Sequence, residues 1–333
     1  MKLRMRIGAC VAFCLAGVLG AASAQANDNL LQVTERIAGG NRYDTAVQVS
    51  RQVAPNGSPA VLLASGEGFA DALGASGVAN YLRLPVLLTG KGSLPPQVRE
   101  EIARLQAVEV VIVGGEGSIS AGVAAEVAAL TDHVTRVAGS NRYRTSEELV
   151  KFMYQMQPQD AEANLVLASG RDFPDALTVV PLAHQRSAPL LLVDGKATQL
   201  SAEAEAIIGQ INPGTVYIVG GPGTVSTEIE QSLPEVNVLR LAGNNRYETS
   251  LAVFREFGPA QQAVMVSGAT YPDALVGGTL AGRRNQPLLA VNPICLGANT
   301  VQTLTGQGVR MVSVVGGQAT LSDTVASGRP CGN

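Results

Sequence analysis

The sequence has 333 residues, 46% of them hydrophobic and only 15% charged, with 37 glycines and no tryptophan. That composition excludes a disordered chain and suits a well-packed α/β protein with room for two or three domains. The formal net charge of −3 excludes a general electrostatic attraction to nucleic acid.

The chain opens with a processing signal. Lys2, Arg4 and Arg6 form a basic region, Ile7 to Gly20 an apolar run too short to span a bilayer with margin, and Ala22-Ser23-Ala24 the preferred cleavage site. Residues 1–24 therefore read as a signal peptide, and the mature chain is expected to be exported, with no later membrane span. Its removal leaves 21 basic against 27 acidic residues, a net charge of −6. Two of the four cysteines leave with the signal. Cys295 and Cys331 remain, and in an exported protein such a remaining pair is expected to form a disulfide, pinning the C-terminal tail to the last domain.

Three copies of one unit follow. "RIAGGNRYDTA" at 36–46 returns as "RVAGSNRYRTS" at 136–146 and "RLAGNNRYETS" at 240–250. "SGEGFADAL" at 65–73 returns as "SGRDFPDAL" and "SGATYPDAL", starting at 169 and 267. "LPVLLT", "APLLLV" and "QPLLAV" then precede "VVIVGGEGSIS", "VYIVGGPGTVS" and "VSVVGGQATLS". A period near one hundred residues is too long for a solenoid unit, so each copy reads as a small domain. Repeats are placed at 30–135, 136–239 and 240–329, the last ending before a full final helix fits.

Within a copy, β-branched runs such as 60–64, 86–88 and 110–113 are bounded by Gly or Pro and read as strands. Helical spacing joins Ala46, Val49 and Val53, then Val98, Ile102 and Leu105, then Val123, Val127 and Leu130. Strands without alternation, separated by helices, predict a parallel sheet covered on both faces. The glycine turns after the strands would gather at their carboxyl ends, where ligands bind in such sheets.

Comparison of the copies with one another picks out Arg42, Arg142 and Arg246; Tyr43, Tyr143 and Tyr247; Thr45, Thr145 and Thr249; and Asp71, Asp175 and Asp273. Arg36, Arg136 and Arg240 complete the set. The residue between the Tyr and the Thr is Asp44, Arg144 or Glu248, and a position that changes sign is expected to face water. Two roles suit the repeated Arg and Asp. They pair to tie neighbouring helix starts together, or the Arg presents its fork to phosphate or carboxylate groups while the Asp orients it. Catalysis is disfavoured: no nucleophile-elbow, zinc-protease or P-loop motif occurs, and His133 and His184 are the only histidines. No catalytic residue, metal or cofactor is expected. With aromatic residues at 4%, sugar recognition by large stacking platforms is also disfavoured, and an anionic polymer held by Arg, backbone N–H and hydroxyl groups is favoured.

The ordered motifs R-x-A-G-x-x-R-Y-x-T, A-S-G-x-x-F-x-D-A-L, P-L-L-L and V-x-I-V-G-G resemble the bacterial cell-wall-binding repeat 2 family, from about Arg36 to Ser327. The resemblance implies three Rossmann- or toprim-like α/β modules packed as a pseudo-threefold trimer. It also implies a secreted, wall-located protein held non-covalently by anionic, teichoic-acid-like polysaccharide of a Gram-positive-type envelope. It carries the R-Y and D-A-L residues over as family signatures. Ala70 departs from Pro174 and Pro272, and Pro293 and Cys295 replace a polar turn, which makes the third copy the weakest candidate site. Segments 27–35 and 328–333 leave no space for an attached enzyme domain, so a separate wall enzyme is an expected partner. Two alternatives are an accessory or modifier protein for a wall amidase, and a polymer hydrolase using an Asp of the D-A-L motif as general base.

Overall fold

The computed structural model describes residues 31–156 and 164–331, so the signal-peptide reading lies outside the described residues. The chain runs β1 (Gln32–Ile37), α1 (Arg42–Val53), β2 (Ala60–Ser65), α2 (Phe69–Leu82), β3 (Val86–Thr89), α3 (Pro96–Leu105), β4 (Glu109–Val113) and α4 (Ala121–Ala128). The second copy gives β5 (His133–Val137), α5 (Arg142–Met156), β6 (Leu165–Ser169), a 3₁₀ turn at Ala176–Thr178, α6 (Val180–Gln185), β7 (Leu190–Val193), α7 (Ala202–Ile211), β8 (Thr215–Val219) and α8 (Thr227–Gln231). The third gives β9 (Asn237–Leu241), α9 (Arg246–Phe257), β10 (Gln262–Ser267), α10 (Pro272–Arg283), β11 (Leu288–Val291), α11 (Ala298–Gly306), β12 (Met311–Val315) and α12 (Asp323–Ala326).

These strands form three four-stranded sheets, ordered β3-β2-β4-β5, β7-β6-β8-β9 and β11-β10-β12-β1, and every pairing is parallel. The fold is thus α/β with three tandem parallel-sheet modules, as the absence of alternation in the inner strands predicts. Leu62, Leu63 and Ala64 of β2 are fully buried, because helices cover both faces.

The sheets are offset from the sequence copies. The strand that opens the second copy, β5, is the edge of the first sheet, and β9 is the edge of the second. The third sheet has no following copy and takes β1, with Ile37 paired to Val315 across almost the whole chain. These edge strands are half exposed, and their polar alternation ("QVTERI", "HVTRV", "NVLRL") hides them from a search for apolar runs.

The ring closes through helices. α2 packs on α5, α6 on α9 and α10 on α1, each against the next copy, while α2, α6 and α10 also meet one another about a pseudo-threefold axis. Small residues allow this approach. A Cβ on Gly74 would come within 2.6 Å of Leu149, and one on Gly282 within 2.3 Å of Asn80. Asn80 Nδ2 donates to the Gly278 carbonyl at 2.9 Å and Ser76 Oγ to that of Leu275 at 3.1 Å. One apolar cluster runs through all three modules, including Leu73, Leu177 and Leu275, and each module keeps a separate outer core behind its sheet.

The third module ends on a single turn, α12. The chain then passes Gly328 at φ +67°, which lies against Leu31, and bonds to Leu296 through the Cys331 N–H at 2.8 Å. Cys295 and Cys331 form the disulfide, with Cα atoms 4.9 Å apart.

Candidate functional site: three clefts between modules

The R-Y-x-T stretch is the start of α1, α5 and α9. Asn41 Oδ1 accepts the Tyr43 and Asp44 N–H groups at 2.9 and 3.0 Å, and Asn141 and Asn245 repeat this cap. Thr45, Thr145 and Thr249 are buried, each accepting the N–H of the glycine six residues earlier at 3.1–3.2 Å. That glycine is obligatory: a Cβ on Gly39 would lie 2.1 Å from Asp44 Cβ, and Gly139 and Gly243 are equally confined. The repeated Thr is therefore a brace within the loop. Tyr43, Tyr143 and Tyr247 lay their rings on Gly66, Gly170 and Gly268, where a Cβ would come within 2.6–2.8 Å. Burial raises the Tyr43 and Tyr143 hydroxyls above the ordinary tyrosine value.

Each repeated Arg is held twice. Arg142 Nη1 donates to the Gly170 carbonyl at 2.7 Å and Arg246 Nη1 to that of Gly268 at 3.0 Å, and Arg42 bonds Gly66 in the same way. Each guanidinium also lies over a ring from the preceding copy: Arg142 over Phe69 at 5.3 Å, Arg246 over Phe173 at 5.9 Å and Arg42 over Tyr271 at 6.0 Å. Those three rings meet, with centroids 5.5–6.2 Å apart. The aromatic content that disfavours stacking platforms thus hides a cluster contributed one ring per copy.

One role open to the repeated Arg and Asp is a pair tying neighbouring helix starts together; among the described residues they meet at the junctions between copies without a direct ion pair. Asp273 faces the first copy, with the Thr45 side chain and the Arg42 charge close to its carboxylate. At the first junction Asp71 shares a cleft with Arg142 and Thr145. The carboxylates are held by hydroxyls: Ser118 donates to Asp71 at 2.7 Å, Thr224 to Asp175 at 2.9 Å and Thr320 to Asp273 at 3.0 Å. The Arg is oriented by a carbonyl and a ring.

Behind each Asp sits a glycine with positive φ, Gly114, Gly220 or Gly316, where a Cβ would approach the carboxylate to 2.5–2.9 Å. Arg136, Arg240 and Arg36 clamp the carbonyls of these glycines at 2.7–2.8 Å, so this Arg set shapes the turn. Asp273 is only 6% exposed. Burial pushes its carboxyl above the ordinary value, against the pull of Thr320, Thr45 and Arg42.

Copy-to-copy agreement thus finds the Arg, Tyr, Thr and Asp, and the structure brings Arg and Asp together from neighbouring copies. It misses Asn41, Asn141 and Asn245 and the hydroxyls Ser118, Thr224 and Thr320, although all repeat in kind. It misses Phe69, Phe173 and Tyr271 because that position drifts between Phe and Tyr. Asp44, Arg144 and Glu248, expected to face water, are partly exposed beside the helix-start loop.

The first junction shows the assembled site. Glu67 to Asp71, Gly115, Gly117, Ser118, Gly139 to Arg142 and Thr145 line a cleft of about 590 Å³ that draws on two copies. Arrangement and order match one family model, cell wall binding domain 2, at residues 36–124, 136–230 and 240–326. The chain belongs to this cell-wall-binding family. It is 30% identical over 294 residues to the N-acetylmuramoyl-L-alanine amidase LytC of Bacillus subtilis (strain 168), a match covering 88% of this chain and 57% of that protein. It is 32% identical over 261 residues to the amidase enhancer of the same organism, covering 78% and 35%. Among solved structures, Cwp6 from Clostridium difficile superposes with a TM-score of 0.81 at 23% identity, over 94% of this chain and 51% of that one. Cwp8 from the same source gives 0.78 at 26%, over 88% and 51%. The chain therefore spans about half, or less, of the length of these relatives.

Proposed function

We propose that the protein is a secreted wall-binding module that attaches non-covalently to an anionic wall polymer of a Gram-positive-type envelope. The observation that carries this reading is the clefts' construction. Each junction combines an arginine fork, a capped helix start and a glycine turn from two different copies, a set of donors suited to phosphate or carboxylate groups. Only Nη1 of each guanidinium is committed to a carbonyl, which leaves further donors for a ligand.

The hydrolytic alternative fits less well. The Asp carboxylates are already held by hydroxyls, and Asp273, the most buried, is withdrawn from any polymer chain. Service to a separate wall enzyme draws support from the likeness to the amidase enhancer and to the amidase itself.

Co-sedimentation with purified cell walls, before and after acid extraction of anionic polymers, tests the reading. Binding is expected to disappear with the polymers, to weaken as salt rises, and to fall in the triple variant Arg42→Ala, Arg142→Ala, Arg246→Ala. Undiminished binding to stripped walls would contradict it.

A further inference from the structure

The three junctions are built from one motif but differ in what already occupies them. In the third junction, Tyr271 Oη donates to the Gly66 carbonyl at 3.3 Å, joining Arg42 there, a bond that Phe69 and Phe173 cannot make. Asp273 is closed over by Thr45 and Thr320, and Thr270, in place of Gly68, leaves its hydroxyl buried without a partner. Asp44 stands beside the loop glycine Gly40.

In the second junction, Glu248 serves as an internal anion. Its carboxylate accepts the Asn244 N–H at 2.9 Å and the Asn244 side-chain amide at 2.8 Å. Lys196 bonds the Gly223 carbonyl, and Asp172 replaces Gly68.

The first junction lacks these plugs. The residue equivalent to Glu248 is Arg144, whose guanidinium turns away to Glu147 at 2.9 Å and Glu203 at 2.5 Å. The Ser140 N–H, equivalent to that of Asn244, has no acceptor among the described residues. Gly68, Gly115 and Gly117 have neither positive φ nor any atom within 4 Å of an added Cβ. Packing requires glycine neither there nor at Gly221, Gly223 and Gly317 of the other turns, so the feature particular to the first cleft is the bare backbone at Gly68, where the other copies carry Asp172 and Thr270. Glu67 and Asp71 line this cleft, so its character is mixed, with acceptors as well as donors.

Resting on the wall-polymer reading, we infer that polymer binding is concentrated in the first cleft, with the other two serving mainly as glue between modules. The ligand unit it fits carries one acidic group, for Arg142 and the Ser140 N–H, beside hydroxyls that donate to Asp71 and Glu67. A polyhydroxylated phosphodiester or uronate has that chemistry. Arg144 is the specificity-determining residue, because a carboxylate at its position fills the loop from within.

The test compares single variants of the full chain on the same walls. Arg142→Ala is expected to weaken binding roughly tenfold, the loss of one charge-assisted contact, and Arg42→Ala by less than about twofold. Gly117→Asp, which disturbs no packing, should match Arg142→Ala, whereas Gly223→Asp should have little effect. Glu248→Arg should strengthen binding by unplugging the second cleft. Thermal unfolding of each variant separates lost contact from lost fold, and Gly117→Asp keeps the test decisive if Arg142→Ala unfolds. Equal losses from Arg42→Ala, Arg142→Ala and Arg246→Ala would overturn the inference while leaving wall binding intact. Wild-type protein that ignores unstripped walls would instead overturn the reading beneath it.

Discussion

The first and third junctions use the same residues to opposite ends. At the first, the chain runs on from one module into the next, and β5 is delivered to its sheet by covalent continuity. At the third, β1 must cross from the far end of the chain, and Arg36 makes more bonds there than Arg136 makes at the first. Its guanidinium reaches Gly316 O at 2.7 Å, Leu321 O at 3.0 Å, Ser322 O at 3.2 Å and the Asp323 carboxylate at 3.5 Å. Arg284 adds a bridge to Glu35 at 2.5 Å, and the disulfide secures the tail. A junction that closes a ring without chain continuity is reinforced and shut. One that has continuity can leave its cleft open.

Breaking the disulfide should give the largest effect. A cross-link over 36 residues constrains the unfolded chain by about 4 kcal/mol in the loop-entropy model, so Cys295→Ser with Cys331→Ser should lower the Tm and raise amide exchange in the third sheet first. Arg36→Ala comes next, at about 2 kcal/mol for a partly buried cation leaving several acceptors. Arg136→Ala should cost about 1 kcal/mol, because Gly114 O at 2.7 Å is its only side-chain hydrogen bond among the described residues. Equal losses in the two variants, by urea unfolding, would erase the contrast between the junctions.

The smallest effect concerns Asp273. Its carboxyl is raised above 3.8 by burial, so the folded chain holds the proton more tightly than the unfolded one. Stability then falls as pH rises through the window between the ordinary and raised values, and the cost is fully present above it. Asp273→Asn should be slightly more stable than wild type at neutral pH, with the difference vanishing below the ordinary value. A less stable variant at pH 7 would show that the hydroxyl bonds outweigh the burial.

Much of this was legible from repetition. Positions that one chain keeps three times are those the unit needs, and uninterrupted apolar runs such as 61–64 imply a sheet covered on both faces. The meeting of Arg42 and Asp273 at one junction was not, because it depends on circular packing that joins residues more than two hundred positions apart. The edge strands were hidden for a physical reason: one face of β1, β5 and β9 meets water, which dilutes their apolar character. The sign changes at 44, 144 and 248 look like surface drift until the loop is folded. They then decide whether a carboxylate fills it.

The most direct test of polymer seating is hydrogen–deuterium exchange of the full chain with and without purified, acid-extracted wall polymer. The account predicts slowed exchange at 115–118 and 139–142, with little change at 221–224 and 244–246. Protection confined to other surfaces, or none at saturating polymer, would contradict it.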